Sequence, residues 1–140
     1  MKRFSILCIV MIMTAAAYAD RPISSAKLPQ SIKNFIQQNF PDVSIVSAKT
    51  EQHKEFDVCL SDGTEIEFEK NGRWEDIKNY NGLPDSLIPS KAAEYIKESY
   101  PNIKIIEIEA KRSSWEIKLQ NNRELLFSYE GNFLKEKIDD

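Results

Sequence analysis

The chain has 140 residues, 41% of them apolar and 29% charged. That is a globular balance, long enough for one ordinary domain with a real core, and it excludes a disordered polypeptide. The formal net charge is −3, and no Lys/Arg cluster follows the first few residues, which argues against nucleic acid and against anionic membrane surfaces as partners.

Lys2 and Arg3 precede an almost wholly apolar run from Phe4 to Ala17, and Ala17-Tyr18-Ala19 has the small-x-small form of a cleavage site. Residues 1–19 therefore read as a secretory signal peptide, with Asp20 as the first mature residue. The apolar run is shorter than the roughly 20 residues a spanning helix needs, so no membrane insertion is expected after cleavage. Cys8 follows Leu7 early in the run, which is unlike a lipoprotein site. Losing Lys2 and Arg3 makes the mature chain more acidic, and only Cys59 remains in it. No internal disulfide is then expected, despite the oxidising destination.

The mature part reads as one domain, 20–140, built from two repeats at about 28–79 and 88–137. Pro29 suits the start of a helix, where a missing N–H costs nothing. Ile32, Phe35, Ile36 and Phe40 follow at helical spacing, and Pro41 ends the run, so a helix is expected over 29–39. Strands are expected at about 43–50, 54–60, 64–70 and 73–79. If Ser61-Asp62-Gly63 is a three-residue loop with Gly63 left-handed, Phe56 faces Phe68 and Val58 faces Ile66. A similar loop ending at Gly72 places Phe68 opposite Trp74. Asn79 to Leu87 reads as a connector.

The pattern then recurs sixty residues on, from Ile88-Pro89 through Tyr95-Ile96 and Tyr100-Pro101, with a helix over 89–99 and strands near 103–110, 114–119, 123–129 and 132–137. Here Asn122 takes the place of Gly63, as the other residue that tolerates positive φ. The expected pairs are Trp115 with Phe127 and Ile117 with Leu125. Phe56, Phe68, Trp74, Trp115, Phe127 and Phe133 all fall on the inward face. A sheet with one apolar face must be covered, and the two helices are what is available. The fold class is α+β: a tandem repeat of one helix followed by antiparallel strands, two helices packed on one face of an antiparallel sheet.

Laid out this way, the chain resembles the PepSY-like, beta-lactamase-inhibitor-like family of secreted bacterial proteins. The resemblance is carried by Leu28-Pro29, Phe35-Ile36 and Phe40-Pro41, by the stretch from Asp62 to Phe68, by Gly72-Arg73-Trp74, and by Leu83-Pro84, Ile88-Pro89, Tyr95-Ile96 and Tyr100-Pro101. It covers nearly the whole mature chain. It implies an exported, non-enzymatic protein with a tandem helix-plus-sheet fold, and it carries over no inhibitory residue.

Little in the sequence points to catalysis. His53 is the lone histidine and Cys59 the lone mature cysteine, so no zinc-type ligand set is expected. Cys59 alternates with Val58 and Leu60 and reads as an incidental, semi-exposed residue. No phosphate loop or nucleophile elbow is present, and no catalytic residue, cofactor or metal is expected. Glu65, Glu67 and Glu69 share the outer face of one strand, with Asp57 against Glu67, so like charges oppose one another. Arg73 and Lys49 supply countercharge. The matching face of copy two, with Lys118 opposite Glu124, reads as balanced, so acidic specificity is assigned to copy one. The expected function is an exported binding or inhibitor-like module, periplasmic or extracellular, that meets a protein or peptide partner. Its contacts would be Asp57, Asp62, Glu65, Glu67, Glu69, Arg73 and Tyr80, on the outer sheet face and hairpin loops. The alternative is an assembly module of an envelope complex or a homodimer.

Overall fold

A computed structural model of the chain describes residues 20–51 and 55–138. The expected signal peptide and His53 lie outside the described residues. The strands are β1 (Asp20–Pro22), β2 (Ile45–Glu51), β3 (Glu55–Leu60), β4 (Glu65–Phe68), β5 (Trp74–Lys78), β6 (Ile105–Ala110), β7 (Ser114–Leu119), β8 (Arg123–Ser128) and β9 (Phe133–Ile138). The helices are α1 (Gln30–Asn39) and α2 (Ser90–Ser99), each preceded by a single 3-10 turn, at Ser25–Lys27 and Asp85–Leu87. Both α-helices begin immediately after their proline, and both end where Phe40 or Tyr100 leaves helical geometry ahead of Pro41 or Pro101.

The chain forms two compact units, Met1–Trp74 and Glu75–Asp140. The sequence places the division in the connector, whereas the structure places it inside β5. The reason is hydrogen bonding: Asp76, Ile77 and Lys78 pair with Glu109, Ile108 and Glu107 of β6.

In the first unit β1 to β4 lie side by side in chain order, all antiparallel. The β3–β4 register is the expected one, with Phe56 facing Phe68 and Val58 facing Ile66. Leu60 N donates to Thr64 O at 2.8 Å across the loop, where Gly63 has φ +90°. At the next loop Glu69 N donates to Arg73 O at 2.7 Å, which makes it the three-residue form. Helix α1 buries Ile32 and Ile36. Its Phe35 packs edge-on against Phe68 at 5.7 Å and lies 6.1 Å from Trp74. Strand β1 was not foreseen: three residues ending in proline carry no readable period, and they are extended because Arg21 finds Thr50 on β2.

The second unit repeats the plan with β5 to β9 adjacent in order. Trp115 faces Phe127 and Ile117 faces Leu125, as expected, and Asn122 is left-handed at φ 66°. Tyr95 of α2 meets Phe127 edge-on at 5.6 Å and stacks on Phe133 at 4.4 Å, the counterpart of Phe35 with Phe68 and Trp74. Burial of the expected core aromatics is uneven. Phe68 and Phe127 are sealed, Phe56, Trp74 and Trp115 are half-buried, and Phe133 remains 38% exposed because all of β9 lies at the margin.

Both units carry a matched bulge. The β2–β3 register slips between Ile45 and Ser47, and the β6–β7 register slips between Ile105 and Glu107. One extra residue reverses the alternation locally. Ile105 and Ile108 can therefore both point into the core, at 6% and 0% exposure, while Glu107 and Glu109 both point outward.

Candidate functional site

The seven contact residues expected from the sequence sit where the register puts them, but in differing environments. Asp57 is buried, with Lys49 on one side and Glu67 on the other. Glu65, Glu67 and Glu69 are half-buried, while Asp62 and Arg73 are exposed. Asp62 shapes its own loop: Oδ1 accepts from Thr64 N at 2.9 Å, the Asx geometry that favours this residue type in turns. Tyr80 is 71% exposed beside the connector. Its carbonyl accepts a hydrogen bond from Gln120 Nε2 at 3.2 Å. Cys59 departs from its reading as semi-exposed. It lies between Ser47 and Glu65 in mid-sheet and is buried.

The larger correction concerns the second copy, whose outer face is not balanced throughout. Its side chains form two rows across the strands. In one row Lys78 faces Glu107, Glu107 faces Lys118, Lys118 faces Glu124 and Glu124 faces Lys137. The signs alternate, and the Lys78–Glu107 and Lys137–Glu124 ion pairs close at 3.6 and 3.7 Å. In the neighbouring row Asp76 faces Glu109 and Glu109 faces Glu116. Three carboxylates stand in line, an arrangement that costs free energy when all are charged. Lys111 donates to Glu116, at the end of that line, at 2.8 Å.

The rows meet at Asp76, Glu107 and Glu109, where one ligand oxygen from each lies within 4.8 Å of the others. Burial, followed by the charge of Glu107 and a hydrogen bond to it, pushes the Asp76 carboxyl from 3.8 up to about 9. Glu109 is also raised, first by burial and then by the charges of Glu107 and Glu116. Burial acts against ionisation of Glu116 too. Even so, the hydrogen bond and charge of Lys111, with hydrogen bonds from Glu109 and Glu124, hold it below the ordinary carboxylate range. Asp76 Oδ1 is shut off from solvent and has no hydrogen-bond partner among the described residues. A shallow depression of about 240 Å³ adjoins the row between Glu116 and Glu124 on one side and Lys135 and Lys137 on the other.

A set of hard oxygen donors containing an orphaned buried oxygen fits calcium better than a soft or nitrogen-preferring ion. The sequence contained a signal for it, the Ile105-Ile106-Glu107-Ile108-Glu109 alternation and the nearby Asp76. Register between β5 and β6 was needed to bring the three together. The trio has no counterpart in the first copy, where Ser47 and Lys49 stand sixty residues before Glu107 and Glu109.

Three solved structures share this architecture at 31% identity and a TM-score of 0.77. One, from Bacteroides thetaiotaomicron, is described as "a putative calcium-regulated periplasmic protein"; the match covers 84% of this chain and 96% of that one. A second, from Bacteroides vulgatus, is described as "a putative periplasmic protein of unknown function", with coverage of 84% and 98%. The third, also from Bacteroides vulgatus and of the DUF2874 family, is covered over 99% of its length by 87% of this chain. Nothing matches among curated proteins. Among the described residues no helix is long and apolar enough to cross a membrane. The family described as "Putative beta-lactamase-inhibitor-like, PepSY-like" matches over residues 17–56 and again over 54–135, and with the repeat, register and aromatic triplets seen here the chain belongs to that family.

Proposed function

We propose that this chain is an exported, non-enzymatic binding module that recognises a protein or peptide partner through the outer face of its strands, and that calcium bound at Asp76, Glu107 and Glu109 governs that face. Export is supported by the leader-like N-terminus and by relatives described as periplasmic. The inhibitor-like family supports a non-enzymatic role. The observation that carries the calcium reading is the orphaned Asp76 Oδ1 within reach of two glutamates. A relative described as calcium-regulated agrees with it.

The chemistry is charge compensation. Without an ion, the line of carboxylates tolerates its own repulsion by keeping a proton on Asp76, which hydrogen-bonds Glu107. Bound calcium would supply the missing positive charge and take up Asp76 Oδ1, which lacks a partner among the described residues. Glu107 and Glu109 hold two corners from β6, and Asp76 holds the third from β5.

Calcium titration by calorimetry on the mature protein tests this, with magnesium as comparison and Glu107→Gln as control. Saturable calcium binding that Glu107→Gln abolishes is the expected result. Equal heats from wild type and variant at millimolar calcium would refute the site. For the partner, envelope extract passed over the immobilised protein with calcium and with chelator should yield a calcium-dependent species. Recovery of only the protein's own second copy would favour the assembly reading instead.

A further inference from the structure

We infer that Lys78 sets the strength of this cation site, keeping it weak by occupying Glu107 until the ion displaces it; the inference rests on reading Asp76, Glu107 and Glu109 as a calcium site. Glu107 belongs to both rows of the outer face. It is the partner of Lys78 across the strands, with Nζ 3.6 Å from Oε2, and it is also a member of the trio. The pair is well sheltered, with side-chain exposures of 26% and 12%, so solvent and salt screen it less than an ordinary surface pair.

Lys78 is also two residues from Asp76 on the same strand. Its stem therefore leaves the same face about 7 Å away. An arriving divalent ion must both draw Glu107 from the ammonium and tolerate a positive charge beside it. The two glutamates differ in this respect. Lys111 acts on Glu109 through its charge and is ion-paired with Glu116, while Lys78 is ion-paired with a member of the trio itself. A site restrained in this way falls in the millimolar range that suits an extracytoplasmic calcium module rather than the submicromolar range of a buffer.

The test is calcium affinity, measured by calorimetry and by thermal shift, for wild type, Lys78→Met and Lys78→Arg, with folding checked by circular dichroism. Removing a unit positive charge at this distance from a divalent ion should tighten binding about tenfold. Lys78→Arg should stay close to wild type. Calcium binding to Lys78→Met with wild-type or weaker affinity, while wild type itself binds, overturns the role of Lys78 and leaves the site standing. Absence of binding in all three proteins overturns the site and this inference together. Should Lys78→Met fold poorly, Lys78→Gln removes the same charge with a polar side chain and is read in the same way.

Discussion

Replacing Asp76 with Asn should make the protein more stable, and the gain should depend on pH in a defined way. The Asp76 carboxyl is raised from 3.8 to about 9, so the folded state resists its ionisation while the unfolded state does not. The stability associated with the protonated group is fully present below pH 3.8 and is lost progressively as pH rises through about 9. Each unit of pKa difference is worth about 1.4 kcal/mol. At pH 7 the unfolded chain has gained from ionising Asp76 over about three units, which amounts to about 4 kcal/mol, reduced to about 3 kcal/mol by screening at the open side of the site. Asn keeps the size and can donate to Glu107 without a proton to lose. Asp76→Asn should therefore match wild type near pH 4 and exceed it by about 3 kcal/mol at pH 7, a rise of roughly 10 °C in Tm for a domain this size. Urea denaturation and thermal melts from pH 4 to 9, all with chelator, measure it. A difference between the two proteins that stays constant across that window would refute the assignment of a proton to Asp76.

Calcium at ten times its Kd should add about 1.4 kcal/mol to the wild type, and none to Glu107→Gln, as read by thermal shift. Phe127→Ala removes a sealed ring that touches both Tyr95 and Phe133, so it should cost about 3–5 kcal/mol in urea denaturation. Two glycine substitutions should separate backbone strain from crowding. Gly63→Ala has positive φ and open space, and should cost about 1 kcal/mol. Gly131→Ala shares the positive φ, but its new Cβ would stand 2.9 Å from Pro89 Cβ and 3.1 Å from Ala92 N. It should cost at least about 2 kcal/mol and loosen the hairpin against α2, visible as faster amide exchange in α2.

The sequence alone determined the helices, the strands other than β1 and the hairpin register, because these are local. Prolines mark the ends of the helices, apolar period separates helix from strand, and a left-handed Gly63 or Asn122 sets which residues face each other. It also located the matched aromatic positions, since Phe35, Phe68 and Trp74 repeat as Tyr95, Phe127 and Phe133, while their meeting as triplets is tertiary. What it could not supply was the pairing of β5 with β6. These strands are separated by a connector and a helix, so no turn residue sets their register. That pairing, with the bulge at Ile106, is what brings Asp76 beside Glu107 and Glu109. The second copy therefore carries an acidic arrangement of its own, besides the run of alternating glutamates in β4. A strand's own alternation says which face a carboxylate occupies, while the neighbouring strand decides whether it meets a lysine or another carboxylate.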